Sequence, residues 1–231
     1  MRICTICVRG GSKGVPAKNW RLLSGLPLYV HSINQARESG LFDKIVISSD
    51  APEVLEHALH FGADMVVQRP ADLAGDTAGK VPAIAHAVES AEHYFSLTFD
   101  TCVDLDATSP LRLPEDIAGA VALLENSNCE SVITGAEAHR SPYFNLVEED
   151  EHGIVSTAKS LPQGVLRRQD APKTYDMNAS VYVWKRDSLI SQKKVFFEST
   201  RIFVMPSERS FDIDSELDFK IVEMLMNERE K

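Results

Sequence analysis

The stretch from Val8 to Asn19, which reads VRGGSKGVPAKN, combines residue types that suit the binding of phosphate. Its glycines let backbone N–H groups approach phosphate oxygens closely, and its hydroxyl, amide and cationic side chains add further hydrogen-bond donors. The residues expected to take part are Arg9, Gly10, Gly11, Ser12, Lys13, Lys18 and Asn19. Because the stretch meets neither the pattern G-x-G-x-x-G nor G-x-x-x-x-G-K-[ST], a glycine turn with solvated lysines is the alternative.

A pair of carboxylates near the end of the chain suits a divalent cation. Asp212 and Asp214 lie two residues apart in the strand-like run FDIDSELDF, and on an extended chain both side chains project to the same side. Mg²⁺ prefers one or two carboxylates together with phosphate oxygens and water. The alternative is that Asp214 caps the helix predicted to follow it.

Short apolar runs alternate with amphipathic stretches and place these groups on an α/β framework. The predicted strands are RICTICV, KIVISSD, DMVVQRP, TCVDLDA, SVITGA, SVYVW and RIFVMP. The predicted helices are LPLYVHSINQARESG, PEVLEHALHFG, VPAIAHAVESAEHYF, Pro114–Glu125 and SELDFKIVEMLMNEREK. This rhythm predicts a mainly parallel sheet with helices on both faces, which binds ligands at the carboxyl ends of its strands. The Val8 to Asn19 stretch directly follows the first strand.

Local signals refine this framework. Pro27 suits the first turn of the first helix and Gly40 its end, and the closing helix carries Leu217, Ile221 and Leu225 at helical spacing. From about His139 to Lys173 the rhythm breaks into polar sequence that contains proline and glycine, which predicts an inserted lid or hairpin.

Composition excludes several classes of protein. The 231 residues, 44% apolar content and net charge of −10 suit one folded domain and argue against a nucleic-acid partner. No apolar run approaches the roughly 20 residues that span a bilayer, and MRICTICVRG lacks a secretory apolar region, so no membrane association and a cytoplasmic location are expected. Cys4 and Cys7 should point to opposite faces of their strand, which favours buried thiols over a redox or zinc site.

The string RGGSKGVPAKN resembles the opening loop of the cytidylyltransferases that activate sialic acids and related nonulosonic acids. The resemblance runs almost from end to end through motifs in the same order. It implies a Rossmann-like three-layer α/β nucleotidyltransferase fold, formed by a single domain, 1–231, with a lid and dimerisation segment at approximately 139–200. It also implies transfer of CMP from CTP to the 2-hydroxyl of a nine-carbon keto-sugar acid, with Mg²⁺ and release of pyrophosphate, by a homodimer.

The resemblance also implies roles for individual residues. Arg9, Ser12, Lys18 and Asn19 match the triphosphate-binding loop, which includes Gly10 and Gly11, and Arg69 in QRPADLAGD matches an arginine near the cytosine. Asp212 and Asp214 match the magnesium ligands. Of these residues, Lys18, Arg9 and Asp212 are expected to be catalytic, and no residue stands out as a general base.

The segment VDLDATSPLR stands where sialic-acid enzymes typically read LLQPTSPLR, so Asp106 replaces a glutamine that contacts the sugar. A carboxylate only accepts hydrogen bonds, whereas an amide also donates them, so the sugar should differ. The segment VDLDATSPLR, together with RSPYFNLVE and KTYDMNASVYVWKRD, looks most like the corresponding segments of the family members that act on legionaminic acid. N-acetylneuraminic acid is the alternative substrate, a non-catalytic nucleotide-binding domain is the alternative function, and a turn carboxylate is the alternative role for Asp106.

Two later segments resemble the sugar-binding region. In LRRQDAPKTYDMNAS, Arg168 matches the arginine that faces the substrate carboxylate, and Tyr175 and Asn178 are expected to contact the sugar. Asp176 stands where some sialic-acid enzymes carry an arginine. Phe196 and Phe197 in KKVFFEST match aromatic residues that reach across a homodimer into the neighbouring sugar pocket. The alternatives are an exposed basic pair for Arg167 and Arg168, and core packing for the two phenylalanines.

Overall fold

The computed structural model describes residues 1–11, 15–75 and 78–229, which form an α/β domain. Its strands are β1 (Arg2–Cys7), β2 (Leu22–Leu23), β3 (Leu26–Pro27), β4 (Lys44–Ser49), β5 (Met65–Gln68), β6 (Thr101–Leu105), β7 (Ser131–Glu137), β8 (Val147–Glu149), β9 (Val155–Thr157), β10 (Tyr175–Lys185) and β11 (Arg201–Val204). Its α-helices are α1 (Leu28–Ser39), α2 (Pro52–His57), α3 (Ala71–Ala74), α4 (Lys80–Phe95), α5 (Pro114–Glu125), α6 (Arg186–Gln192) and α7 (Glu216–Arg229). No helix of these described ranges is both long enough and apolar enough to span a membrane.

The central sheet has seven strands in the order β11-β7-β10-β6-β1-β4-β5. Strand β1 pairs in parallel with β4 and β6, β4 with β5, and β7 with β11, whereas β10 runs antiparallel to both β6 and β7. The mainly parallel sheet predicted from the sequence is therefore confirmed. Because β4, β1 and β6 are adjacent and parallel, the segments that follow them meet at one edge of the sheet.

Apolar side chains fill a core on each face of the sheet, as predicted for a three-layer fold. One core joins Cys4 and Ile6 to residues of α1 and α5, and the other joins Ile3 and Val46 to residues of α4. Cys7 packs against the second core, so Cys4 and Cys7 do point to opposite faces of β1, and all four cysteines are free.

Helix α7 packs through a different stripe from the predicted one. Phe219 and Val222 are buried in a third cluster, against which Leu225 packs, whereas Leu217 is 66% exposed. At its start, Ser215 and Asp218 exchange hydrogen bonds: the Ser215 backbone N–H donates to Asp218 Oδ2 at 2.8 Å, and the Asp218 N–H donates to Ser215 Oγ at 3.2 Å. These two residues therefore cap the helix, and the capping role considered for Asp214 is wrong.

Several predicted boundaries also shift. Pro27 ends β3 and α1 begins one residue later, while Gly40 ends α1 in the left-handed region with φ 63°, as expected. The lid and dimerisation segment at approximately 139–200 stays a prediction, and part of it, β10, lies within the sheet. The excursion from the sheet runs over residues 138–174 and carries the β8–β9 hairpin, all of whose strand residues are exposed.

Candidate active site

A cleft of about 310 Å³ opens where the segments after β1, β5 and β6 meet. Its lining includes the predicted residues Arg9, Gly11, Lys18, Asn19, Arg69 and Asp106, together with Lys80 and Thr108. The structure thus brings together most of the residues assigned to phosphate and nucleotide binding. Ser12 and Lys13 of the same loop lie outside the described residues.

The loop after β1 uses its two described glycines differently. The Gly10 N–H donates to Asp50 Oδ1 at 2.9 Å, and a Cβ at Gly10 would lie 3.3 Å from the Ala51 Cβ, so this glycine permits close contact with the chain after β4. Gly11 lines the cleft, where a Cβ would meet nothing within 4 Å. Asn19 braces the loop, because its side-chain amide donates to the Arg9 carbonyl oxygen at 3.0 Å.

Lys18 connects this loop to the predicted metal-binding segment. Its side chain is only 12% exposed, its ammonium donates to the Ile213 carbonyl oxygen, and it lies 3.5 Å from Asp214 Oδ1. Arg69 lines the same cleft, and its guanidinium donates to the Ser48 carbonyl oxygen at 2.9 Å and to Ser48 Oγ at 3.2 Å. Both cations are therefore held by contacts within the chain.

Asp212 and Asp214 lie in a loop, whereas the sequence suggested a strand-like run. Ile213 between them is fully buried, Asp212 is half-buried and Asp214 is exposed. Asp212 Oδ1 is buried without a hydrogen-bond partner among the described residues. Burial raises the pKa of Asp212, and the charges of Asp106 and Asp214 raise it further, against the influence of the nearby Thr108 hydroxyl. An orphaned carboxylate oxygen beside a second carboxylate fits a divalent cation.

Asp106 is held by contacts within the chain. Its Oδ2 receives a hydrogen bond from the Lys80 ammonium at 2.6 Å, and its Oδ1 receives two from Thr108, from N at 3.0 Å and from Oγ at 2.8 Å. The alternative role of turn carboxylate is thus present in the structure. Burial would raise the pKa of Asp106, but Lys80 and Thr108 outweigh it and hold that pKa well below its usual range.

Lys80 is the site residue that the sequence did not single out. Its ammonium also lies 3.0 Å from Oδ2 of the fully buried Asp104 and 4.9 Å from the centre of the Tyr182 ring. Burial would lower the pKa of Lys80, but the two carboxylates hold it well above its usual range. The sequence feature that could have identified Lys80 is its place at the start of a predicted helix, where the helix dipole disfavours a cation.

A second pocket of about 560 Å³ lies beside the cleft and contains several residues assigned to the sugar. Arg168, Asp176, Asn178 and Asp212 belong to its lining, whereas Tyr175 is not among the lining residues in the described chain. The Arg168 guanidinium donates to the Ala138 carbonyl oxygen at the rim. Thr108 lines the cleft, and its carbonyl oxygen accepts a hydrogen bond at 3.0 Å from the N–H of Ile213, the residue that follows Asp212. The two cavities therefore adjoin at this contact.

Asn178 forms the wall of this pocket through internal hydrogen bonds. Its Oδ1 accepts from Thr134 Oγ1 at 2.7 Å and from the Ser180 N–H at 3.1 Å, and its Nδ2 donates to Ser210 Oγ at 3.0 Å. The side chain is 7% exposed and its polar atoms are engaged within the protein. It therefore shapes the irregular part of β10, where the pairing with β7 shifts register.

The neighbouring phenylalanines have different environments. Phe197 is 8% exposed and belongs to the core beneath α4, with the Lys194 ammonium 4.7 Å from its ring centre. Phe196 is 61% exposed. The core-packing alternative thus describes Phe197, and only Phe196 is available to contact another molecule.

Comparisons with known proteins agree with this geometry. A family model described as cytidylyltransferase matches residues 3–225. The chain is 47% identical over 225 residues to CMP-N,N'-diacetyllegionaminic acid synthase of Campylobacter jejuni subsp. jejuni, covering 97% of this chain and 94% of that protein. It is 46% identical over 227 residues to post-translational flagellin modification protein B of Campylobacter coli, covering 98% and 95%.

The fold has a solved counterpart of low sequence identity. The structure of CMP:2-keto-3-deoxy-manno-octonic acid synthetase complexed with CTP superimposes with a TM-score of 0.71 at 14% identity, over 99% of both chains. At this identity the match supports the three-layer nucleotidyltransferase architecture alone.

Proposed function

The chain belongs to the cytidylyltransferase family, and we propose that it transfers CMP from CTP to the 2-hydroxyl of a nonulosonic acid, namely N,N'-diacetyllegionaminic acid, with release of pyrophosphate. The chain is a nucleotidyltransferase, and the name of its 47% identical relative supports this sugar. The observation that carries the proposal is the hydrogen bond from the Ile213 N–H to the Thr108 carbonyl oxygen at 3.0 Å. It joins a cleft that contains fixed cations to the segment of Asp212, which lines the pocket that contains Arg168.

In this proposal the cleft binds CTP. Arg9, Lys18 and the backbone of Gly11 contact the triphosphate, and Gly10 and Asn19 keep the loop in its conformation. Ser12 is assigned to the same loop from the sequence resemblance. Arg69, held by Ser48, is assigned to the cytosine side. Fixed cations suit a charged nucleotide because they need not be reorganised during reaction.

Asp212 and Asp214 would hold Mg²⁺ together with phosphate oxygens of CTP. The unpartnered, buried Oδ1 of Asp212 supports this assignment, and the acidic net charge of the chain makes a metal useful beside a polyanionic substrate. When bound, Mg²⁺ neutralises charge that develops on the phosphates. Lys18, whose ammonium lies 3.5 Å from Asp214 Oδ1, adds a protein cation beside the proposed metal site.

The neighbouring pocket would bind the sugar acid. Arg168 in its lining is assigned to the carboxylate of the sugar. Asp106, which lines the adjoining cleft, is assigned to accept a hydrogen bond from a hydroxyl or amide N–H group of the sugar. Asn178 and Tyr175 are assigned indirect roles, because the former is engaged in the pocket wall and the latter lies outside the lining.

The reaction would consist of attack by the sugar 2-hydroxyl on the α-phosphorus of CTP, with pyrophosphate leaving in line. The protein contributes mainly by holding the two substrates in adjoining cavities and by stabilising charge through Arg9 and Lys18. Asp106 is unsuited to act as the general base, since its lowered pKa makes it a weak proton acceptor.

A homodimer is part of the proposal. The β8–β9 hairpin is exposed on all its strand residues, including Val147 at 56% and Val155 at 59%, and Phe196 is exposed elsewhere on the surface. Such apolar exposure suits an interface between two copies of the chain. A mass near twice 25.6 kDa in solution is expected.

The test is a substrate panel with a pyrophosphate-release assay. The purified protein is given CTP, Mg²⁺ and, separately, N,N'-diacetyllegionaminic acid or N-acetylneuraminic acid, with ATP, GTP and UTP as nucleotide controls. The proposal expects the highest kcat/KM with CTP and legionaminic acid. Equal or better turnover of N-acetylneuraminic acid would reassign the sugar, and an absence of turnover with every sugar would refute the function.

A further inference from the structure

Lys80 occupies a position that is costly unless it serves a purpose. It is the first residue of α4, where the positive end of the helix dipole repels a cation, and its ammonium lies between the carboxylates of Asp104 and Asp106. A partly buried ion pair of this kind is weak evidence for a contribution to stability, because desolvation offsets the attraction. Its position in the lining of the cleft, paired with Asp106, calls for a functional explanation.

The Lys80 ammonium is held by three groups of the protein. It donates a hydrogen bond to Asp106 Oδ2 at 2.6 Å, forms an ion pair with Asp104 Oδ2 at 3.0 Å and lies 4.9 Å from the centre of the Tyr182 ring. Lys80 therefore acts on another residue of the site, Asp106, through a direct hydrogen bond.

The effect falls on Asp106. A carboxylate has about four acceptor positions, of which Thr108 takes two on Oδ1 and Lys80 takes one on Oδ2. One acceptor position is left on Oδ2, and the side chain is 22% exposed at the cleft. Asp106 is thus held in one orientation with one free acceptor.

Lys80 also connects the two halves of the site. The residues directly before it, Ala78 and Gly79, line the nucleotide cleft. Asp106 leads through Thr108 to Ile213, which follows Asp212 of the sugar pocket. A displacement of the Lys80 side chain would therefore move Asp106 relative to both cavities.

We propose that Lys80 is a positioning residue that fixes Asp106 so that its free Oδ2 accepts a hydrogen bond from a hydroxyl or amide N–H group of the sugar acid. This inference rests on the proposed function of the site. It assigns the recognition of one donor group on the sugar to a pair, Lys80 and Asp106, and not to Asp106 alone.

The test is a double-mutant cycle with Lys80→Met, Asp106→Asn and the double variant, assayed for both substrates. Lys80→Met should lower kcat/KM for the sugar about tenfold to a hundredfold, mainly through a higher sugar KM, with the CTP KM little changed. Because Lys80 acts through Asp106, the double variant should have the same kcat/KM as Asp106→Asn. Lys80→Arg, which keeps the cation, should recover part of the activity.

Lys44→Met is the matched control, because Lys44 also lies over an aromatic ring, that of Phe95 at 4.5 Å, but lines neither cavity. It should retain wild-type kinetics. Unchanged sugar kinetics in Lys80→Met or in Asp106→Asn, or equal effects of Lys80→Met on both substrates, would overturn the proposal. If Lys80→Met does not fold, a double variant less active than Asp106→Asn would overturn it. Inactive wild-type protein would instead refute the proposed function, and this inference with it.

Discussion

The ammonium of Lys18 lies 3.5 Å from Oδ1 of Asp214, which joins the loop after the first strand to the segment before the last helix. Asp214 is 80% exposed, so the pair itself contributes little to stability. Its significance is positional, because the same ammonium also donates to the Ile213 carbonyl oxygen. The phosphate-binding loop and the carboxylate pair are thereby held together at the cleft.

The role of the carboxylate pair can be separated from helix capping by two substitutions in the same segment. Asp212→Asn should reduce Mg²⁺-dependent turnover by about a hundredfold or more, since it removes a proposed ligand, and it should leave the free energy of unfolding nearly unchanged. Asp218→Asn should keep Mg²⁺-dependent turnover and lower the free energy of unfolding by about 1 kcal/mol, since Asp218 caps α7.

Pyrophosphate release against Mg²⁺ concentration, together with urea denaturation, measures both effects. If the Asp212→Asn variant released pyrophosphate at the wild-type rate, other residues would have to bind the metal.

The adjacent arginines provide a second matched comparison. Arg168 lines the proposed sugar pocket, whereas Arg167 forms an exposed ion pair with Asp170 at 2.8 Å. Arg168→Ala should raise the sugar KM about tenfold or more while the CTP KM stays near the wild-type value, because a bidentate partner of the sugar carboxylate is lost. Arg167→Ala should change neither constant. Steady-state kinetics with each substrate varied in turn would decide, and a similar rise in both KM values for Arg168→Ala would contradict the carboxylate role.

The two phenylalanines should separate stability from assembly. Phe197→Ala removes a buried ring and should lower the free energy of unfolding by about 3–5 kcal/mol. Phe196→Ala removes an exposed ring, so unfolding of the protomer should be unaffected while dimer formation weakens or the sugar KM rises. Sedimentation at several concentrations and thermal denaturation measure the two properties. Wild-type assembly and sugar kinetics in Phe196→Ala would remove that residue from the interface and the site.

Residue patterns predicted the parallel part of the sheet because each strand there alternates with a helix. They did not predict the direction of β10, since an apolar run such as SVYVW is compatible with either pairing. The extent of the excursion was easier to predict, because the alternating pattern breaks from about His139 to Lys173 and the chain leaves the sheet between Glu137 and Tyr175.

Within the site, the sequence indicated which segments converge but not which side chains remain free. Asp106 and Asn178 were both expected to contact the sugar. The Asn178 side chain instead forms hydrogen bonds with Thr134, Ser180 and Ser210. The Asp106 carboxylate accepts hydrogen bonds from Lys80 and Thr108. Thr134, Ser210 and Lys80 lie 26 to 44 residues away in the chain from the residues they contact, so local spacing carries no signal for these partners.

A final prediction concerns Tyr29, whose hydroxyl is buried without a hydrogen-bond partner among the described residues. Its ring stacks on Trp20 at 6.1 Å and meets the edge of Phe61 at 6.2 Å, so Tyr29→Phe keeps the packing and removes only the unpaired group. The free energy of unfolding at neutral pH should rise by about 1 kcal/mol.

The same substitution should change the response to alkaline pH. Burial raises the pKa of Tyr29 from 10.0 to about 12, so the unfolded chain loses this proton at lower pH than the folded protein does. The wild-type protein should therefore lose stability as the pH rises through this window, and Tyr29→Phe should lose less. Tyr94→Phe, at a side chain 68% exposed, is the control and should match the wild type. A Tyr29→Phe protein that is less stable than wild type at neutral pH would mean that the hydroxyl has a partner, such as a bound water, because only a lost hydrogen bond can reverse the sign when the ring packing is kept.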